Sequence, residues 1–586
     1  MFKIFRYLKS SEWIQIGICL IFIVAQVWLD LRLPEYMSEI TRLVQTEGSV
    51  MSDIWIQGGW MLLCALGSVI SAVMVGFIVA RLGATVSRRL RSLMFCKVDS
   101  FSMAEINKFS TASLITRSTN DVTHVQMFLT MGLQILIKSP ILAVWAIIKI
   151  AGKGFEWSVA TGVAVSILLV MFTLLLILVF PKFKKMQYLT DNLNKVTREN
   201  LIGLPVVRAY NAEGFEKEKF EKANDELTRT QLFTSRGMAF LMPVVSLVLS
   251  GLSLAIYWIG AVLIDGAGML DRLTLFSNMI TFSAYAMQVI MAFMMIAMMF
   301  IFLPRASTSA KRISEVLEVE PTIKDGVVKE GLEGVSGEVV FKNVSFKYPG
   351  AADYVLKDVS FEARAGETVA FIGSTGSGKS TLINLVPRFF DATEGEIFID
   401  GVNVKDYKLE SLHNKIGYIP QKAVLFSGTV ASNVAFGDND KKAPDEDQIK
   451  KAVKIAQGRD FVEKMPNEYS ADISRGGTNI SGGQKQRLAI ARAICRDPEI
   501  YIFDDSFSAL DYKTDRKLRT ALKKETSGAT SLIVAQRIGT IMDADKIIVI
   551  ENGFVVGQGT HTELLKECKV YKEIASSQLS EEELKS

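Results

Sequence analysis

Apolar residues follow two regimes along this chain. Through roughly the first 300 positions they come in long unbroken runs; beyond, they come in runs of about four to eight, broken by Gly, Asp and Lys. A helix crossing a bilayer needs about 20 mostly apolar residues. Six stretches qualify: Ile14–Leu33, Trp55–Ala80, Met131–Ala151, Trp157–Phe180, Phe240–Ile264 and Leu275–Leu303. The third contains Lys138 and Lys149, so its edges are the least sharply drawn.

The connections between these runs alternate. Arg81–Thr130 and Pro181–Ala239 are long and charged, and carry Arg88, Arg89, Arg91, Lys97, Lys182, Lys184, Lys185 and Arg198. Pro34–Asp53, Gly152–Glu156 and Asp265–Thr274 are short, and the first is acidic (Glu35, Glu39, Glu47, Asp53). Lysine and arginine stay on the cytoplasmic side. The long connections and both termini are therefore expected there, in a bacterial cell membrane, with the connections continuing the helices beyond the bilayer. The opening MFKIFRYLKS, with Phe2, Ile4, Phe5 and Leu8 among Lys3, Arg6 and Lys9, suits an uncleaved helix lying on the membrane surface. The sixth run has no charged residue between Thr274 and Leu303, which argues against an ion pore. It is rich in methionine (Met287, Met291, Met294, Met295, Met298, Met299), a side chain suited to varied apolar ligands as well as to ordinary helix packing.

After the polar connector following Pro304, strand-like alternation begins near Gly337. The apolar strand Val369–Ile372 then runs into Gly373-Ser374-Thr375-Gly376-Ser377-Gly378-Lys379-Ser380, and an apolar helix follows. That is the phosphate-binding pattern G-x-x-x-x-G-K-[ST] in its strand–loop–helix setting. The glycines let backbone N–H groups surround phosphate oxygens, Lys379 reaches the β- and γ-phosphates of ATP, and Ser380 takes Mg²⁺. A second apolar strand, in YIFDD, ends at Asp504, a carboxylate suited to holding Mg²⁺, and Asp505. Between the two lies Ser481-Gly482-Gly483-Gln484 at the start of a helix, another anion-binding terminus. One nucleotide does not need both devices from one domain.

The chain has 586 residues, 49% of them hydrophobic, with a net charge of +4. That balance, without a basic patch, excludes nucleic acid as the partner. The five cysteines (Cys19, Cys64, Cys96, Cys495, Cys568) show no paired spacing and predict free thiols without a structural metal.

In order and kind these motifs resemble a half-transporter of the ATP-binding-cassette exporters, over nearly the whole chain. The fold implied is an all-α transmembrane domain of six helices with long cytoplasmic extensions, followed by an α/β P-loop nucleotide-binding domain. Its divisions are a transmembrane domain at 1–304, a linker at 305–336 and a nucleotide-binding domain at 337–580. Gly373–Thr381 resembles the family's Walker A loop, Ile480–Gln484 its signature, Asp504 its Walker B aspartate, and Ser508–Asp511 its D-loop. Gln421 resembles the Q-loop glutamine, which with Ser380 and Asp504 attends Mg²⁺, and Tyr348 sits where the family stacks an aromatic ring on adenine. Ser110–Val122 and Gly203–Phe220 resemble the two coupling regions. The resemblance implies two halves meeting head to tail, each ATP lying between the Walker A of one and the signature of the other.

Two positions depart from the family pattern. Its catalytic glutamate is Asp505 here, and its switch histidine is Gln536. Aspartate ends roughly 1.5 Å short of glutamate, and misplacing a catalytic group by about 1 Å lowers rate on the order of 10²-fold. A glutamine amide carries no imidazolium charge and relays no proton. The pre-signature Ile473–Gly477 also lacks the usual Gly-Glu order. The expectation is a slow ATP site on a chain whose intact signature serves an unlike partner. Amphipathic drugs or lipids are the expected cargo; the alternatives are a homodimeric lipid exporter and an ATP-gated channel or regulatory protein.

Overall fold

The computed structural model describes residues 6–46, 48–439, 441–526 and 528–579, in two compact units. One comprises residues up to Val98 and Ala112–Val319; the other comprises Asp99–Thr111 and the residues from Glu320 onward. The expected surface helix at the N-terminus falls largely outside the described residues.

Among the described residues of the first unit, six helices are long and apolar enough to cross a membrane: Ser10–Gln45, Met51–Asp99, Thr111–Ile150, Phe155–Ile202, Glu213–Asp265 and Asp271–Leu317. In lipid each backbone polar group must bond within its own segment, so such runs become helices. They outrun their apolar stretches. The 49 residues of Met51–Asp99 extend about 74 Å at 1.5 Å per residue, against a hydrocarbon core of about 30 Å. The long connections are thus helical, with breaks at Ser100–Ser102, Ser110, Gly203 and Tyr210–Ala212. The third helix winds wider at Arg117–Asp121 and Phe128–Gly132. The last continues to Leu317, beyond the 304/305 division read from the sequence, because Ala306, Ala310, Ile313 and Val316 keep a helical spacing on its buried face.

The two lysines of the third span are paired. Lys138 lies 3.5 Å from Asp30 and Lys149 2.5 Å from Glu35, both acids on the first helix. Ser68 donates to Asp30, and the Tyr285 hydroxyl donates to the Leu31 carbonyl at 2.9 Å. Charges within spans persist when partnered in this way. Deeper in the bundle, the fully buried Trp157 donates Nε1–H to the Ile256 carbonyl at 3.1 Å and packs its ring 5.6 Å from Phe282.

The second unit holds a four-stranded antiparallel sheet in the order β2-β1-β4-β5, made of β1 (Val339–Phe346), β2 (Leu356–Ala363), β4 (Glu394–Ile399) and β5 (Val402–Asn403). Its six-stranded sheet runs β12-β11-β3-β10-β9-β6. These are β3 (Thr368–Ile372), β6 (Ile416–Ile419), β9 (Ile500–Asp504), β10 (Thr530–Val534), β11 (Lys546–Glu551) and β12 (Phe554–Gly559). All its pairings but β11–β12 are parallel. Strands β3, β9 and β10 are buried almost throughout, as sheets covered on both faces require. A minor pair, β7 (Gly428–Thr429) with β8 (Asp472–Ile473), completes the strands.

The unit also claims an early piece of chain. Ser102 caps the short helix Met103–Phe109, and Glu105 accepts from the Ser102 amide at 2.8 Å and from the Thr322 amide at 3.2 Å. This piece precedes and barely overlaps Ser110–Val122, the first coupling region read from the sequence.

Replacing Trp157 with Ala removes a buried ring and its hydrogen bond. We expect about 3–5 kcal/mol of lost stability, read as a lower thermal midpoint in detergent, and a much smaller loss for Trp157→Phe.

Candidate functional site

Four parallel strands deliver their C-terminal ends to one edge of the second unit's larger sheet. β3 leads into the loop Gly373–Gly378, β6 is followed at two residues by Gln421, β9 ends at Asp504 with Asp505 next, and β10 is followed at two residues by Gln536. The register sets them level: Val534 pairs with both Asp504 and Phe371, and Ile419 with Phe503. Ligands of open α/β sheets bind beyond this edge.

The loop after β3 needs its glycines. A Cβ on Gly373 would lie 1.9 Å from the Ile550 carbonyl oxygen, and Gly378, at φ +99°, would place one 2.8 Å from Leu356. Lys379 opens the helix Lys379–Leu385 and is buried. Its ammonium donates to the carbonyls of Gly373 at 2.9 Å and Ser374 at 2.7 Å, and approaches the Ser377 hydroxyl at 3.3 Å. Burial holds its pKa below the ordinary lysine value against the pull of Asp505 and Asp504. The neighbouring Ser380 hydroxyl donates to Asp504 at 2.7 Å.

Asp505 is the hub of the remaining bonds. The side-chain amide of Gln536 donates to its Oδ2 at 2.7 Å and that of Gln421 to the same oxygen at 3.3 Å. Its own backbone sits at φ +46°, fixed by its N–H on the Val534 carbonyl at 3.0 Å and by the Ser508 hydroxyl on its carbonyl at 2.8 Å. Burial raises the pKa of both acids. At Asp504 the charge of Asp505 adds to this while Ser380 and Lys379 oppose it; at Asp505 the bonds from Gln421, Ser508 and Gln536 oppose it.

Tyr348 is half-buried and its hydroxyl bonds the Thr381 hydroxyl at 2.9 Å, beside the phosphate loop. Phe390 stands at right angles to its ring with centroids 5.3 Å apart. A cavity of about 240 Å³ next to it is lined by Tyr348, Phe390, Ser102 and Thr322. Phe390 carried no sequence signal, since nothing in its spacing marks it as a neighbour of Tyr348.

Ser481–Gln484 lies elsewhere in the network. Ser481 caps the helix Gly482–Cys495: its N–H donates to Gln484 Oε1 at 2.8 Å and its hydroxyl accepts from the Gln484 amide at 3.3 Å. Asp511 caps the helix Tyr512–Glu525 through the Thr514 amide at 2.9 Å. Gly483 abuts the Ala509 carbonyl, so the Ser481 and Asp511 segments adjoin. Among the described residues no hydrogen bond joins Ser481 or Asp511 itself to Lys379, Asp504 or Asp505, although Ser508, three residues before Asp511, bonds the Asp505 carbonyl. Gln486, which sequence reasoning passed over, links this helix to the main cluster by donating to the Pro420 carbonyl at 3.2 Å, one residue before Gln421.

Residues 356–508 match the family model described as ABC transporter, and residues 16–303 match the ABC transporter transmembrane region. An ABC transporter ATP-binding protein of Mycobacterium tuberculosis is 40% identical over 91% of this chain and 88% of its own length. One of Bacillus subtilis is 35% identical over 99% of each. The ATP-dependent lipid A-core flippase of Pseudomonas aeruginosa is 31% identical over 86% of this chain and 82% of its own. In fold, the chain is similar to a bacterial Atm1-family ABC exporter with ATP bound, at a TM-score of 0.78 and 23% identity, covering 98% of this chain and all of that one.

A carboxyl whose folded pKa is raised binds protons more readily folded than unfolded. Its destabilising effect is absent at low pH and grows as pH rises past the ordinary 3.8. Asp505→Asn is therefore expected to raise the thermal midpoint at neutral pH and to lose that gain near pH ~3, checked by calorimetry across pH.

Proposed function

We propose a specific role for this chain, which belongs to the ABC transporters and joins a transmembrane region to an ATP-binding domain on one polypeptide. It is a transport ATPase of the exporter type. Our reading is that it works as one half of a heterodimer, with its own ATP site slow and its signature completing a faster site on an unlike partner.

The roles we assign follow the site. Backbone N–H groups of Gly373–Gly378 and the N-terminus of the helix from Lys379 cradle the phosphates, Lys379 exchanges its loop carbonyls for phosphate oxygens, and Tyr348 stacks on adenine. The Ser380 hydroxyl, the Asp504 carboxylate and the Gln421 side chain form an oxygen-donor set that fits Mg²⁺. When bound, that ion neutralises charge on the β- and γ-phosphates. Ser481, Gly482, Gly483, Gln484 and Asp511, unconnected to the Lys379 cluster, serve the partner's nucleotide across the interface.

The observation that carries the slow-site reading is the Gln536 amide on Asp505 Oδ2 at 2.7 Å. A general base must accept a proton from water within hydrogen-bond reach. Asp505 is short by a methylene, and one of its two carboxylate oxygens already accepts from both Gln536 and Gln421. Gln536 positions; it does not relay protons.

Amphipathic drugs or lipids are the cargo we favour. The flippase relatives are named for a lipid, and the methionine-rich sixth helix suits apolar tails. The pairs Asp30–Lys138 and Glu35–Lys149 supply polar groups at membrane depth. We assign the nucleotide unit to the cytoplasmic side on the lysines and arginines of the long connections.

Purified alone and given one equivalent of ATP, the chain is expected to retain it unhydrolysed. Asp505→Glu with Gln536→His should raise the single-turnover rate about 10²-fold. Rapid hydrolysis by the unaltered chain, with no gain from the double change, overturns the slow-site reading. A separate expectation concerns assembly: Ser481→Arg should abolish most ATPase activity of the pair formed with an unlike half-transporter. Vigorous transport by this chain alone favours the homodimeric lipid exporter instead.

A further inference from the structure

A groove of about 840 Å³ runs between the end of the fourth apolar stretch and the helix Glu213–Ala239. One end along the helix axis is lined by Ile167, Val170 and Leu174, which are exposed, and the other, its mouth, by Arg229, Phe233 and Arg236. The helices meet closely at one point: a Cβ on Gly237 would stand 2.8 Å from a methyl of Val179. With that contact fixed by a residue lacking a side chain, the larger side chains to either side leave the slot between the helices.

The slot is amphipathic along its axis. From Ile167 to Val179 it follows about 18 Å of helix at 1.5 Å per residue. All lining residues but the two arginines are apolar or glycine. Arg229 and Arg236 are seven apart, which puts them on one helix face. Among the described residues neither guanidinium has a hydrogen bond or ion pair. Lys182, with its ammonium 5.7 Å over the Phe233 ring, adds a third cation at the same mouth. Its neighbour Lys185 is engaged with Glu226 at 3.1 Å.

We propose that this groove holds an anionic glycerophospholipid of the cytoplasmic leaflet. Its phosphate lies on Arg229 and Arg236, and its acyl chain along Ile167, Val170 and Leu174. Guanidinium forks match phosphate oxygens two at a time, and basic pockets between helices on the cytoplasmic side take such headgroups. The volume is in the range of sites that enclose drug-sized amphiphiles, about 300–1,000 Å³. The charge selects an anion, and the length of the exposed apolar wall selects a chain-bearing one over free phosphate. The inference rests on the orientation proposed above, which puts the mouth at the cytoplasmic headgroups.

The test uses the full chain in nanodiscs, with Phe233→Trp as the reporter. Brominated phosphatidylglycerol should quench its emission at lipid fractions about tenfold lower than brominated phosphatidylcholine. Adding Arg229→Gln and Arg236→Gln should erase that preference while the thermal midpoint in detergent stays unchanged. Should the double change prevent folding, the comparison of the two lipids on the reporter protein decides alone. Equal quenching by both lipids, a preference that survives the double change, or emission that no lipid quenches because a second copy covers the groove overturns the proposal. Orientation is read separately, by labelling Ser235→Cys with a membrane-impermeant maleimide in sealed vesicles of each sidedness. Labelling from the outer side overturns the orientation and this proposal together. Labelling from the cytoplasmic side without lipid preference overturns this proposal only.

Discussion

Two carboxylates at the end of one buried strand have to be balanced by something, and the nucleotide unit is arranged around that need. Asp504 and Asp505 are adjacent, buried and raised in pKa, and their burial is a standing penalty. Lys379 provides the nearby positive charge and Ser380, Gln421 and Gln536 provide the hydrogen bonds. These four are delivered beyond the C-terminal ends of three strands: Lys379 and Ser380 after β3, Gln421 after β6 and Gln536 after β10. The parallel register of β3, β10, β9 and β6 is therefore what permits the charge balance at all. A one-residue slip would turn β9 over and leave the acids facing the apolar layer.

Much of this was legible in the sequence because each motif is local. A strand, a glycine loop and a helix in succession leave few other readings of Gly373–Ser380. The long apolar runs likewise fix six helices by length alone. What stayed hidden was what depends on distant pairing. Nothing in the spacing says that Lys138 and Lys149 find Asp30 and Glu35, so the third span's edges were blurred where the structure draws one helix from Thr111 to Ile150. The last helix ran past its apolar stretch because one alanine-rich face stays buried while the composition turns polar. Gln486 and Phe390 were invisible for the same reason: their partners, Pro420 and Tyr348, are 66 and 42 positions away, and neither belongs to a motif.

The substitutions at Asp505 and Gln536 are best understood as one change. A glutamate in the first position would extend into the space beyond the strand edge. An aspartate withdraws from it, within reach of the amide at the second. The resulting bond gives each group a partner. The slow site proposed above is compatible with an intact fold, because the hydrogen bonds at the sheet edge do not require the longer acid.

The segment Asp99–Thr111 has a consequence for how the chain is made. It belongs to the compact unit that otherwise begins at Glu320, and Glu105 bonds the Thr322 amide. It leaves the ribosome more than 200 residues before that partner exists, with four bilayer crossings to be inserted in between. The nucleotide-binding unit therefore cannot finish assembling until the four intervening helices have been made. A fragment excised at Glu320 is an incomplete object, missing a piece of its own wall.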